Sequence, residues 1–370
     1  MKPLLFVTGH VPAYRTGALA RLHELEGIEA ALFGGPVLHG GPRAPDELPF
    51  PHRRVAPGEV WGLARSGSYR GVICSTGGRV ALLGAWAGAR RARLPLILWA
   101  SLWAHPRSAA HALSYPALRR LYSSADAVVT YGPHVSAYVR ERGARNVHIA
   151  PQSVDNEFWR APGVAAPSVE GWPATPRVRF LFVGRDAPEK GLGVLRSAWD
   201  RAQLDPRETA LVLAGPVAPG GEHPDGARRP GPGDPAASVI ALGPLAPERL
   251  REVYSACQVL IVPSVATRTF REPWGLVVNE AFNRGLAVLA SDAVGAAAGG
   301  LVRDGENGLI VPAGDSLALA GAIERLAADP GLCAELGARG AATVLDYSHE
   351  AWAEGFSRAM ATVGLARGHW

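Results

Sequence analysis

Twelve short apolar runs constrain this chain more than any other feature of its sequence. In the first half they are "PLLFVTG", "IEAALFG", "GVICST", "PLILWAS", "AVVTYG" and "VHIAPQ". In the second they are "VRFLFVG", "ALVLAG", "SVIALG", "QVLIVPS", "LAVLAS" and "NGLIVP". A strand covered on one face alternates apolar and polar residues, whereas one covered on both faces reads as a continuous apolar run. Amphipathic segments such as "RVALLGAWAGARRAR" lie between several runs. Strands that alternate with helices in this way predict α/β architecture with parallel, doubly wound sheets.

The alternation breaks once, at "RAPGVAAPSVEGWPATP", a stretch rich in Pro, Ala and Gly that reads as a linker. Two doubly wound domains are therefore expected, over residues 1–160 and 161–346, with helices starting near Gly191, Pro247, Gly275, Asp315 and Pro330 in the second. A last helix within 347–370, from about Ser348 to Val363, follows the completed second sheet. The low-complexity loop from Pro216 to Ala237 is expected to be mobile and to carry no chemistry. Doubly wound sheets bind ligands at the carboxyl ends of their strands, so two of them face to face place a site in the cleft between them.

With 370 residues, 48% of them hydrophobic, the chain can bury two cores. The opening apolar run, Leu4 to Val7, is too short for a signal peptide. The longest apolar stretch, "LPLILWASLWA", has eleven residues where spanning a bilayer needs about 20. Cys74, Cys257 and Cys333 lack metal or disulfide spacing, which fits a reducing cytoplasm. The net charge of +5 is unevenly spread: residues 1–150 hold 18 Lys and Arg against 8 Asp and Glu, residues 151–370 hold 20 against 25. A basic first half suits an anionic partner or an anionic membrane surface, with "GARRARLP" and "PALRRLY" as the basic face; Arg that merely solvates helices explains it equally well. No nucleic-acid-reading motif accompanies the charge.

Two segments carry chemistry. In "FVGRDAPEKGLGVL", Arg185 leaves a strand, and Lys190 and Gly191 stand where a helix begins. Two cations beside free helix amides form an anion site, though without the GxxxxGK[ST] or GxGxxG patterns. A polar surface turn is the plainer explanation. In "EPWGLVVNEAFNRG", Pro273 and Gly275 set up a helix starting near Gly275 or Leu276. Glu272 precedes it and Glu280 lies inside it, about 12 Å apart if the residues between are helical. That is too far for a glycosidase pair, which needs roughly 5–9.5 Å. The two carboxylates can instead accept hydroxyl hydrogen bonds at opposite ends of one elongated ligand. For Glu280 the alternative is a buried carboxylate paired with a structural Arg.

The combination of Arg185, Lys190, Glu272 and Glu280, with seven residues between the glutamates, resembles the nucleotide-sugar site of retaining GT-B glycosyltransferases of family 4. "LASDAVGAAAGGLVRDGENGLIVPAGD" is similar to that family's strand and Gly-rich loop, and "YSHEAWAEGF" to its final helix, which crosses back to the first domain. The resemblance implies that Gly184, Arg185 and Lys190 lie at the donor diphosphate, aided by amides near Gly275 and Leu276, while Trp274, where relatives often carry a smaller aromatic, either narrows the donor pocket or only packs. Glu272 would hold sugar hydroxyls, Glu280 the ribose, and backbone around Pro244 and Leu245 the base. It implies transfer of a hexosyl group, with retention, from a nucleoside-diphosphate sugar, UDP by family frequency, to a hydroxyl of a glycolipid, polysaccharide or small molecule. The departing diphosphate would take the acceptor proton, so no cofactor and no metal is required; no Asp-rich motif is present. The first half departs from the family. It has one Gly9, then His10 and Arg15, in place of a Gly-Gly loop, and "CSTGG" with Thr76 and no His after the third strand. His105, after the next strand, is a candidate catalytic residue or a loop histidine in a polar network. A nucleotide-sugar epimerase and a catalytically silent nucleotide-sugar-binding subunit are the alternative functions on such a scaffold.

Overall fold

A computed structural model describes residues 1–35, 47–162, 178–217 and 238–367. The chain divides into two compact units: residues 1–155 with 346–370, and residues 156–345. The Pro216–Ala237 loop beyond Val217, and the "PGVAAPSVEGWPATP" linker beyond Pro162, lie outside the described residues.

In the first unit the strands are β1 (Leu4–Thr8), β2 (Ile28–Leu32), β3 (His52–Arg54), β4 (Val72–Ser75), β5 (Leu96–Ala100), β6 (Ala127–Thr130) and β7 (Val147–Ile149). They form one parallel sheet in the order β3-β2-β1-β4-β5-β6-β7. Residues along each strand alternate between two cores. Leu4, Phe6, Ile73, Ile97 and Val129 face one, with Leu19 and Leu22 of α1 (Ala13–Glu26). Leu5, Val7, Val72, Cys74, Leu98 and Val128 face the other. There α2 (Val60–Arg65) and α3 (Arg79–Ala92) supply Val60, Ala81, Leu82 and Ala85. Leu121 comes from α4 (Ala109–Ser124), and Val135 and Val139 from α5 (Pro133–Arg140). Six of these strands coincide with the apolar runs. The seventh, β3, does not: its sequence is His-Arg-Arg, all three residues are exposed, and it pairs only with β2 at the sheet edge.

The closing helix of the chain, His349–Thr362, belongs to this unit. Ser348 caps it, accepting a hydrogen bond from the Ala351 amide at 3.1 Å. Trp352, Phe356 and Met360, spaced by four, form its buried stripe. Phe356 packs against Phe6 and Trp99 with ring centroids 5.9 and 6.0 Å apart. Burying such a side chain contributes about 1.5–3 kcal/mol, so the stripe is enough to hold the helix on the sheet. Arg21 of α1 clasps Glu350 with two nitrogens.

The second unit opens with α6 (Asn156–Arg160). Its strands are β8 (Val178–Val183), β9 (Thr209–Ala214), β10 (Val239–Gly243), β11 (Val259–Val262), β12 (Ala287–Ser291) and β13 (Gly308–Val311). All pair in parallel, in the order β10-β9-β8-β11-β12-β13. All six coincide with the apolar runs. One face packs Phe180, Phe182, Leu211, Leu213 and Ile261 against α7 (Leu192–Ala202) and the later helix Ser316–Ala328. Between those helices come α8 (Pro247–Ala256), α9 (Val277–Asn283) and α10 (Gly295–Ala298), and the second helix named above is α11. Asp315 caps α11, and Asp329 caps α12 (Pro330–Thr343) behind a proline in its first turn.

In each unit the strand order reverses direction beside the first strand. The reversal lies between β1 and β4 in one unit and between β8 and β11 in the other, and such a point is where doubly wound sheets open a crevice for ligands.

Candidate functional site

At the second unit's reversal point, Gly184 and Arg185 follow the end of β8, and the segment from Pro263 to Leu276 follows β11. The two connections are stitched together. The Val265 amide donates to the Glu189 carbonyl at 3.0 Å. Gly191 holds φ +69°, and a Cβ there would sit 1.9 Å from the Pro263 carbonyl oxygen, so only glycine lets the loops approach. On this base Lys190 Nζ meets Glu272 Oε2 at 2.5 Å. Glu272 is 8% exposed, and its backbone bridges to Val294. Arg185, more exposed, pairs across the loop with Glu189, four residues on, at 2.5 Å. The sequence-predicted cations and Glu272 thus lie on two adjoining connections, and Lys190 and Glu272 touch.

The segment around Glu280 differs from expectation in one respect. Residues 272–276 are not helical; α9 begins at Val277, so the 12 Å helical spacing between the glutamates does not apply. Gly275 at φ +92° breaks the backbone direction, which postpones the helix. Glu280 lies in the first turn of α9, where the helix dipole favours a carboxylate. Its partner is a tyrosine rather than an Arg: Tyr254 of α8 donates to Glu280 Oε2 at 2.8 Å. Burial pushes the Glu280 carboxyl up to about 7, and the Tyr254 bond pulls part of the way back. The same burial, with Glu280 opposite, raises the Tyr254 phenol well above its ordinary value. Trp274 is buried at 3% exposure, and its ring N–H donates to Asn279 at 2.8 Å, so it anchors the start of α9 from inside. Pro244 and Leu245 form the turn between β10 and α8, at the carboxyl end of β10.

In the first unit, Gly9 and His10 follow β1 and Thr76 follows β4, so they too flank a reversal point. The Gly34 amide donates to the Gly9 carbonyl at 2.6 Å, and the Thr76 amide to Trp99 at 3.1 Å. Arg15 is buried, its guanidinium held by Gln152 and stacked on aromatic rings. His105, beyond β5, has Nδ1 3.2 Å from the Tyr138 hydroxyl and Nε2 3.3 Å from the His111 carbonyl. A carbonyl only accepts, so Nε2 carries a proton toward His111. His105 thus occupies a polar network formed with α4 and α5.

Sequence reasoning did not find Tyr254, Glu189 or Asn279, the partners that fix Glu280, Arg185 and Trp274. No local pattern signalled them: Arg185 and Glu189 are four residues apart, but Arg185 lies on a loop, where the helical i, i+4 rule does not apply. Among the described residues no group of three or more His, Cys, Asp or Glu could hold a metal ion, and no helix is long and apolar enough to cross a membrane. The three cysteines are free and buried, which raises each thiol above its ordinary value.

Two parallel sheets, each with helices on its faces, define the GT-B class, and solved structures agree. Anabaena HepE in complex with UDP and glucose aligns over 98% of this chain and 100% of its own, at TM-score 0.68 and 18% identity. Sucrose-phosphate synthase from Thermosynechococcus elongatus aligns over 98% and 99%, at TM-score 0.70 and 20% identity. Residues 177–329 match the family model for glycosyl transferases group 1. Through that segment the chain is recognised as a GT-B protein of the glycosyltransferase family 4-like kind. Curated relatives are D-inositol 3-phosphate glycosyltransferases. The Rhodococcus jostii protein is 37% identical over 194 residues, 51% of this chain and 41% of its own length. The Streptomyces bingchenggensis protein is 30% identical over 274 residues, 68% of this chain and 58% of its own. The matches span roughly two fifths to three fifths of these relatives.

Proposed function

We propose that the protein is a retaining glycosyltransferase, moving a hexosyl group from a nucleoside-diphosphate sugar, UDP being the nucleotide favoured, to an acceptor hydroxyl. The observation that carries this reading is the Lys190–Glu272 contact at the reversal point of the second sheet, with Arg185 on the same connection. A cation for the leaving phosphate and a carboxylate for sugar hydroxyls are placed side by side. The relatives' names and the UDP and glucose held by HepE support it.

In this reading Arg185 and Lys190, with backbone at Gly184, Gly275 and Leu276, neutralise the diphosphate. Glu272 accepts from sugar hydroxyls, Glu280 from the ribose, and the Pro244–Leu245 turn borders the base. The bond from the anomeric carbon to the phosphate oxygen breaks, and the acceptor oxygen bonds to that carbon on the same face. The acceptor's proton goes to the departing phosphate. Fixed cations and amides stabilise the charge that develops there, so neither a metal nor another cofactor is invoked. Gly9, His10, Arg15 and Thr76 form the acceptor side, and His105 is its candidate catalytic residue. The acceptor is a glycolipid, a polysaccharide or a small molecule. The basic first unit favours one that is anionic or lipid-linked, reached from the cytoplasm at the inner face of an anionic membrane.

A screen of nucleotide sugars for donor hydrolysis tests the reading, with Glu272→Gln and Lys190→Ala as controls. Activity that survives both substitutions refutes the site, and an inverted product refutes retention. Interconversion of the sugar on the intact donor would instead favour an epimerase, and binding without turnover a silent subunit.

A further inference from the structure

Arg15 is the most buried arginine described, at 5% exposure. Among the described residues it has no ion-pair partner. One terminal nitrogen, Nη2, donates to the neutral Gln152 side chain; the other, Nη1, is shut from solvent and donates to nothing. The guanidinium carbon lies 5.1 Å from the Trp99 ring centre, 5.6 Å from that of Trp352 and 5.4 Å from that of Tyr14. The indole N–H groups of Trp99 and Trp352 are themselves buried without an acceptor. Arg15 also lies in the first turn of α1, a fourteen-residue helix whose N-cap is Pro12 and which no side chain caps. Among the described residues the cluster therefore holds a permanent cation, two further N–H donors and the positive end of a helix, with no carboxylate paired to the cation; Asp155 acts on the neighbouring His349 ring.

A buried charge lacking a counter-charge costs several kcal/mol, and ring faces recover only about 2 kcal/mol of that. Folded chains keep such groups where a ligand completes them. Arg rather than Lys is the residue for this, since its fork meets an oxyanion with two parallel hydrogen bonds. We propose that Arg15, at the N-terminus of α1, is the binding site for an oxyanion group, a phosphate or carboxylate, carried by the acceptor substrate. Gln152 is the neutral placeholder that the oxyanion displaces, and Tyr14, the exposed ring of the cluster, is the side chain that gives way. The acceptor role rests on the transferase reading above; the anion site does not, and its test measures no transfer.

Thermal unfolding of the full chain is followed in inorganic phosphate, in acetate and in chloride at matched ionic strength, with calorimetric titration alongside. Phosphate or acetate should raise the melting temperature by several degrees over chloride, and the anion preferred tells phosphate from carboxylate. Arg15→Met should remove that rise and weaken binding at least tenfold. Gln152→Glu should raise the melting temperature in chloride, because it supplies the missing charge from within, and should abolish the response to added anion. This variant decides the matter if Arg15→Met does not fold. No anion-specific rise in the unsubstituted protein overturns the proposal, as does a rise that persists in either variant.

Discussion

Lys190 and Glu272 stand 82 residues apart in the chain and meet at 2.5 Å, tying the connection after β8 to the one after β11. The pair is neither deeply buried nor fully wet, with side-chain exposures of 26% and 10%. Ion pairs of this sort are worth about 1 kcal/mol or less, so a doubly charged phosphate can take the lysine from its carboxylate. Each residue occupies the other in a way that the donor must undo.

This gives opposite expectations for binding and for turnover. Glu272→Gln removes the competitor for Lys190, so UDP should bind about two- to fivefold more tightly, since 1.4 kcal/mol is tenfold. The same variant should lose donor hydrolysis, because the sugar hydroxyls lose their charged acceptor and meet an NH2 donor in place of one carboxylate oxygen. Lys190→Ala should weaken UDP binding and lower kcat about 10²–10³-fold, the usual loss for one group that stabilises developing charge. Calorimetry with UDP and a coupled hydrolysis assay separate the two effects. UDP binding that is unchanged or weaker in Glu272→Gln would show that the pair does not compete with the diphosphate.

Glu280 predicts a pH dependence. Its folded-state pKa is raised to about 7, so in the window between the usual carboxylate range and pH 7 the native state holds a proton that the unfolded chain has released. Stability falls with pH wherever the native state binds more protons. The contribution of Glu280 is therefore fully present in acid and lost as pH rises through about 7, a difference of order 3 kcal/mol. Glu280→Gln should unfold at a temperature that varies less between pH 5 and pH 8, and should exceed the unsubstituted protein at pH 8. Tyr254→Phe removes the hydrogen bond that lowers this pKa, so it should move the transition to higher pH. Identical pH profiles for Glu280→Gln and the unsubstituted protein would contradict the assignment.

Much of this was legible in the sequence, for a physical reason. Parallel strands covered on both faces are written as unbroken apolar runs, and twelve of the thirteen strands among the described residues coincide with such runs. The exception, His52–Arg54, is exposed on every residue and held only by its edge pairing with β2. Residue types at the site were legible because Arg185, Lys190 and Glu272 stand on the connections that leave β8 and β11, beside the Gly and Pro that mark those connections. Their pairing was not. Lys190 chose Glu272, and Arg185 chose Glu189, through loop geometry that Gly191 permits and no local pattern encodes. The onset of α9 was misplaced because Gly275 lies in the left-handed region, which a Pro-x-Gly sequence allows but does not require. The burial of Arg15 depends on Trp99 and Trp352, far along the chain, and no sequence window contains all three.

Gly191→Ala tests whether the contact between the two connections matters. At φ +69° an alanine costs about 1–2 kcal/mol, and its Cβ would overlap the Pro263 carbonyl, which is backbone and cannot swing aside. A loss above roughly 2 kcal/mol should lower the melting temperature by about 4–8 °C in a unit of this size. Lys190, the next residue, would shift with it, so UDP binding should weaken as well. A variant that melts and binds like the parent would mean that the loops separate freely. Gly193, where an added Cβ meets nothing within 4 Å, is the control position for substitution by alanine.

The membrane reading makes the last prediction, and the first unit says where to look. On α2 and α3, Trp61, Val80 and Leu83 are exposed apolar residues, and Arg65, Arg79, Arg90 and Arg91 are exposed beside them. Arg65 lies over the Trp61 ring at 3.8 Å. Each basic residue at an anionic lipid surface is worth about 1 kcal/mol, and the attraction decays within a Debye length, about 10 Å at 0.1 M salt. The protein should therefore float with vesicles rich in anionic lipid at low salt, stay behind with neutral vesicles, and be released by several hundred millimolar salt. Reversing two charges, Arg79→Glu with Arg90→Glu, should weaken vesicle binding at least tenfold, while Leu83→Ser should weaken it less and leave its salt dependence intact. Failure to float with anionic vesicles at low salt would remove the membrane from the proposed function and leave a dissolved acceptor.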